Sequence, residues 1–171
     1  MAWWKRKEPS EADRLARTTA LAPGDKVLGA ALDVITGRTV VATVYDLVVL
    51  SGEGEVSRRP WMLVDAGSWE SDTGTTSVTW VDGTRGTQWT FGHEAHGFAE
   101  AFRDRVEASR VIDAPVLDGD HRVGRAAIRK NLQTGELVPQ LIFDRRVRRD
   151  DPEMQALGQD VVDFLAEQVG L

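Results

Sequence analysis

The chain has 171 residues, no cysteine and a net charge of −6. That length suits one domain with a sizeable core, and the lack of cysteine excludes a disulfide framework and any cysteine-based zinc site. The acidic balance argues against a dedicated nucleic-acid binder, whose domain is usually basic.

The first residues, M-A-W-W-K-R-K-E-P, are basic with no apolar region after them, so they do not read as a secretory signal. No run elsewhere approaches the ~20 apolar residues of a membrane-spanning helix. The expectation is a cytoplasmic protein. Trp3 and Trp4 nevertheless stand beside Lys5, Arg6 and Lys7, and such a segment can touch an anionic membrane at about 1 kcal/mol per cation. These five residues are the candidates for contact with a ligand or with the inner face of the membrane. Glu8 follows them and the segment is short, which favours a disordered tail over a firm anchor.

After the tail, P-S-E-A-D-R-L-A-R-T-T predicts a short helix. Ser10 can cap it, and Glu11 and Asp13 suit the positive end of its dipole. A-P-G-D at 22–25 breaks the chain, so residues 1–22 form a first segment.

Residues 25–91 are β-branched and aromatic runs separated by Gly and Asp turns. Strands are expected near 26–34, 39–45, 46–51, 55–60, 61–69, 75–82 and 86–91. Asp82-Gly83 predicts a type I′ hairpin turn, with positive φ at both positions. In T-S-V-T-W and Q-W-T-F, apolar residues alternate with polar ones, the pattern of half-buried antiparallel strands. Trp61, Trp80 and Trp89 are expected to fill the core, with Trp69 at core or rim.

The period then changes. Ala95, Phe98, Ala99, Phe102 and Val106 fall on one stripe of a helix running to about Ser109. Seven short strands followed by one amphipathic helix resemble the pleckstrin-homology-like superfamily, most closely its short bacterial versions. V-A-T-V-Y-D-L-V-V-L, W-M-L-V-D-A-G-S-W, the D-G hairpin and F-A-E-A-F-R-D-R-V carry the resemblance. It implies an α+β fold, a small antiparallel barrel closed by the helix, over residues 23–111.

Residues 112–171 then read as an appendage docked on that barrel. A hairpin is expected from 121–130 and 136–144, around Q-T-G-E. Asp151 caps a last helix with Pro152 at its first position. Its stripe of Met154, Leu157, Val161 and Leu165 needs an apolar partner, on the barrel or on a second copy in a homodimer.

F-G-H-E-A-H-G-F at 91–98 is the segment closest to a catalytic motif. His93 and His96 are the metal-ligand candidates, with Glu94 between them. The zinc-protease pattern places its histidines four apart on one helix face. Here the second arrives a residue early and Gly97 holds the required position, so the segment reads as a helix start and no metal or other cofactor is expected. No G-x-S-x-G elbow and no glycine-rich phosphate cradle occurs. Phosphoinositide recognition, which the resemblance suggests, needs several cations in the first hairpin loop; this chain offers Lys26 and Arg38 beside Asp25 and Asp33. D-R-R-V-R-R-D-D at 144–151 reads as local ion pairing on a solvated strand end, and nucleic acid is not expected as a partner. The function expected is therefore a non-catalytic binding or scaffolding module for a protein or peptide. The alternatives are a peripheral membrane adaptor acting through residues 3–7, and a metal-dependent enzyme using H-E-A-H.

Overall fold

Thr39–Thr43, T-V-V-A-T, is buried at every position. A strand with no solvent face must be covered on both sides, and the computed structural model, which describes residues 10–92 and 95–171 (of His96 the backbone only), shows both covers. On one face lies a short helix, α1 (Glu11–Ala16), with Ala16 packed on Val41, Val48 and Leu50. Ser10 and Asp13 form the capping box that starts it, each side chain accepting from the other's backbone N–H. On the other face lies the main core.

Four antiparallel strands form the first sheet in the order β1 (Val27–Leu32), β2 (Thr39–Thr43), β3 (Asp46–Ser51) and β4 (Gly54–Pro60). A single 3-10 turn at Trp61–Leu63 then redirects the chain into a second sheet, β5 (Val64–Glu70), β6 (Thr75–Trp80) and β7 (Thr87–Thr90). Helix α2 (His96–Ala108) packs its stripe between the two. Trp61 is fully buried at the junction. Its indole N–H donates to the Thr43 carbonyl at 3.0 Å, and its ring meets Phe102 edge-on at 5.6 Å. Phe91 and Phe98 make a second edge contact at 4.9 Å. Ala101, not expected on the stripe, is buried with Phe98, Phe102 and Val106, whereas Ala99 is only partly covered.

Trp61, Trp80 and Trp89 fill this core and Trp69 lies at its rim. Two details depart from the sequence reading. The strand ladders do not join into a closed barrel. Asp33 ends β1 by turning the chain, and hydrogen bonding to β7 among the described residues consists of Val34 N–H donating to the Thr90 carbonyl and Thr90 N–H donating to the Asp33 carboxylate, both at 2.9 Å. The D-G turn is not type I′. Only Gly83 takes a positive φ, of 73°. Asp82 instead accepts from the backbone N–H and the hydroxyl of Thr84, which widens the loop to 81–86.

After α2 the chain enters a third sheet with no linker, in the order β10 (Leu137–Phe143), β9 (His121–Lys130) and β8 (Arg110–Asp118). β8 was not foreseen. Pro115 is tolerated because β8 is an edge strand, and Ile112, Ala114 and Val116 point inward beside it. Helix α3 (Pro152–Val169) lies across this sheet, capped by Asp151 at one end and by Gly170 in the left-handed conformation at the other. Its buried line is Gly158, Val162 and Leu165, so the expected stripe is rotated by about one residue and Leu157 and Val161 flank it. Gly158 is needed there: a Cβ would stand 2.4 Å from Leu141. The expected partner for the stripe was the barrel or a second copy; it packs on β8–β10 of its own chain. The 144–151 arginines lie in the loop before α3, not on a strand end, where Arg148 and Asp150 approach to 3.6 Å.

Arg129 joins the two cores. It is 2% exposed. Its guanidinium donates to the carbonyls of Ser109 (3.2 Å), Val64 (3.0 Å) and Trp61 (3.1 Å), and to the Ser109 hydroxyl. No carboxylate among the described residues bonds it, and burial pushes its pKa down to about 10. Gln140 donates to the Met62 carbonyl at 2.8 Å, Arg125 pairs with Asp65, and Leu132 packs on the main core.

Candidate functional site

A groove of about 440 Å³ runs between β5 and α2. Two sequence features build it. The α2 stripe presents Ala99, Phe102 and Val106, one behind another, as an apolar floor. Opposite, A-G-S-W places a glycine inside a strand, where the missing side chain permits close approach of another group. The Phe102 ring occupies that space, since a Cβ on Gly67 would lie 2.4 Å from it. Helix and strand are thereby held close at Gly67 while the groove stays open beyond it.

β5 is an edge strand. It pairs with β6 and with no other strand among the described residues, and Ala66 to Glu70 are exposed. Its free edge therefore offers unpaired backbone N–H and C=O groups along one wall of an apolar groove. Trp69 stands at one end, 36% exposed, stacked on Phe91 at 6.5 Å. Thr76 faces it across the ladder and lines the same groove. Its hydroxyl is buried and has no hydrogen-bond partner among the described residues, which is costly for a group in that position unless a ligand satisfies it.

The outer rim is ionic. Glu100, Arg103 and Glu107 on α2 and Arg110 at the start of β8 alternate in sign. Arg110 approaches Glu107 at 3.9 Å and Arg103 approaches Asp104 at 3.5 Å. Exposed pairs of this kind contribute little to stability, so they can re-pair with an incoming chain.

Trp69 and the stripe residues Ala99, Phe102 and Val106 line this groove, and its described lining includes none of the candidate ligand, membrane or metal residues read from the sequence. Trp3, Trp4, Lys5, Arg6, Lys7, His93 and Glu94 fall outside the described residues, and His96 is described only as the first backbone position of α2. Among the described residues no three histidine or carboxylate side chains converge as metal ligands, and no helix is long and apolar enough to cross a membrane. Asp33, read as an acidic neighbour of Arg38, is a structural pin: 1% exposed, it accepts from Thr36, Ile35 and Thr90. Asp25 does similar work, accepting from the backbone N–H groups of Lys26 and Tyr45. Sequence reasoning missed Gly67 and Thr76; the glycine inside a predicted strand was the available signal.

Comparison of the chain with protein-family models, with curated proteins and with solved structures found no match.

Proposed function

We propose that this chain is a non-catalytic module that binds an extended peptide by strand addition to β5. One observation carries the reading: a free strand edge borders an apolar groove whose second wall is an amphipathic helix. Main-chain pairing would supply affinity, and alternate side chains of the peptide would meet Phe102 and Val106 on one side and solvent on the other. The pleckstrin-homology-like assignment belongs to the same proposal. A four-stranded sheet, a three-stranded sheet and a helix packed between them, in that chain order, support it.

Selection of linear peptides from a displayed library, followed by NMR of the labelled protein, tests this. Bound peptides should shift the amides of Gly67, Ser68 and Trp69. Filling the groove with Ala99→Phe should weaken binding at least about tenfold, roughly 1.4 kcal/mol. Peptides that bind the variant as well as the wild type, or that shift amides elsewhere, would sink the reading.

A second reading, peripheral membrane contact, has one observation in its favour. Val34 and Ile35 in the β1–β2 loop are 59% and 77% exposed, and Val34 lines a cavity together with Ser10, the residue that follows the basic N-terminal segment in sequence. The tail's cations and this apolar tip would meet one lipid surface. Sedimentation with phosphatidylserine vesicles should then fall with Ile35→Asp as well as with deletion of residues 2–8; a loss confined to the deletion would exclude the loop.

A further inference from the structure

A third cavity, of about 250 Å³, opens between β3–β4 of the first sheet and the 81–86 loop and β7 of the second. Three arginines line it, Arg38, Arg59 and Arg85, and among the described residues no carboxylate does. Arg59 is already engaged. It donates to Asp82 at 2.8 Å and to the Thr84 hydroxyl at 3.1 Å, and its guanidinium lies 4.2 Å from the centroid of the Trp80 ring. Arg38 and Arg85 differ: neither guanidinium has an ion-pair or hydrogen-bond partner among the described residues. A further cation, Arg149 of the loop before α3, lies against Gly83 in the 81–86 loop.

Arg59 has Asp82 as its counter-charge, but Arg38 and Arg85 line the same concave site without acidic partners and repel one another unless an anion joins them. In a chain of net charge −6, such a site is not the product of a generally basic surface. We infer that this cavity binds a phosphate monoester. A phosphate at neutral pH carries close to two negative charges and three acceptor oxygens, which match the two unpaired guanidinium forks, each able to bond two oxygens at once. The Thr87 hydroxyl, which accepts from the Trp80 indole N–H at 3.1 Å, keeps its own hydrogen to donate. Leu47 and the indole of Trp89 form an apolar wall suited to the organic part of the ester. A carboxylate would leave one arginine without a full counter-charge.

Titration of the full chain with phenyl phosphate, followed through the Trp80 indole N–H in NMR spectra, tests the assignment. Saturable binding is expected, tighter than for inorganic phosphate, which lacks the ring, and tighter than for phenyl sulfate, which carries one charge. The double variant Arg38→Gln, Arg85→Gln changes exposed side chains only and should bind at least about tenfold more weakly, as expected from losing two charge-assisted contacts. Vesicles containing phosphatidic acid form a second arm. Binding to them that depends on the same two arginines, with none to phenyl phosphate, would assign the phosphate to a lipid headgroup. Ala99→Phe should leave phenyl phosphate binding unchanged, so failure of the groove reading and failure of this one are separable. Wild-type protein that binds neither probe, or a double variant that binds as well as wild type, would overturn the assignment.

Discussion

Gly67 shows how one atom sets the width of a groove. Its φ is ordinary, so the requirement is for space, which the Phe102 ring occupies. Gly67→Ala should push the helix from the strand and lower stability by about 1–3 kcal/mol, as overpacking does; an unchanged denaturant midpoint would show that the ring can step aside. Asp82 makes a prediction about pH. The Thr84 hydroxyl, the Thr84 amide and then Arg59 hold its carboxyl below the ordinary 3.8. The fold therefore favours the carboxylate, and this contribution to stability is complete above 3.8 and lost as the pH falls through the lower, folded value. A carboxyl NMR titration should find the midpoint below 3.8, and Thr84→Ala should return it toward that value. Neither residue's partner was legible in the sequence. Gly67 meets Phe102, and Asp82 meets Arg59, only after the sheets have assembled, and an aspartate before a glycine signals a tight hairpin until an arginine and a threonine compete for it.

At the scale of elements, periodicity was enough wherever one face dominated. The seven strands from 26 to 91 and the helix ending near Ser109 follow from alternation and from a single stripe, and the structure places elements at each. β8 escaped because its inward residues include only an alanine between Ile112 and Val116, while Leu117 and Val111 are exposed. The α3 stripe was misplaced for a related reason. Gly158 looks neutral in a pattern of apolar residues, yet it is the point of closest contact. Where the stripe was read well, the energetics are testable. Phe102→Ala removes an 8%-exposed ring that also forms the groove floor and should cost about 3–5 kcal/mol. A wild-type unfolding midpoint for this variant would mean that α2 does not hold the two sheets together.

At the scale of the whole molecule, Arg129 decides whether the chain unfolds in one step or two. Its donors satisfy carbonyls from Trp61 and Val64 on one side of the junction and Ser109 on the other. Arg129→Met would take a donor from each; the Ser109 carbonyl keeps the Lys130 N–H and that of Trp61 keeps the Val64 N–H, so the penalty of about 1–3 kcal/mol falls on the Val64 carbonyl. The main core should then melt separately from the β8–β10 and α3 core, giving two transitions in calorimetry where the wild type gives one. Arg129→Lys should not restore the single transition, because one ammonium lacks the planar fork that reaches all three carbonyls. A single transition in both variants would move the coupling to Gln140 and Arg125. The junction itself was invisible beforehand: an arginine inside a predicted strand reads as solvated, and only the third sheet's position makes it internal.

Ser109 gives the junction a mechanical character. It is the last cap of α2, with its N–H donating to the Arg105 carbonyl and its hydroxyl donating to that of Val106, while its own carbonyl accepts from Lys130 and Arg129. Helix and third sheet therefore meet at a rigid elbow with no slack residue between them. A chain wedged against α2 would load that elbow, and the force would pass to β9 without loss in a flexible linker. The Lys130 amide is the strain gauge. Its hydrogen exchange should change when the β5–α2 groove is filled, although it lies in another sheet, and the same groove occupant should leave it unaffected once Ser109→Gly has loosened the elbow.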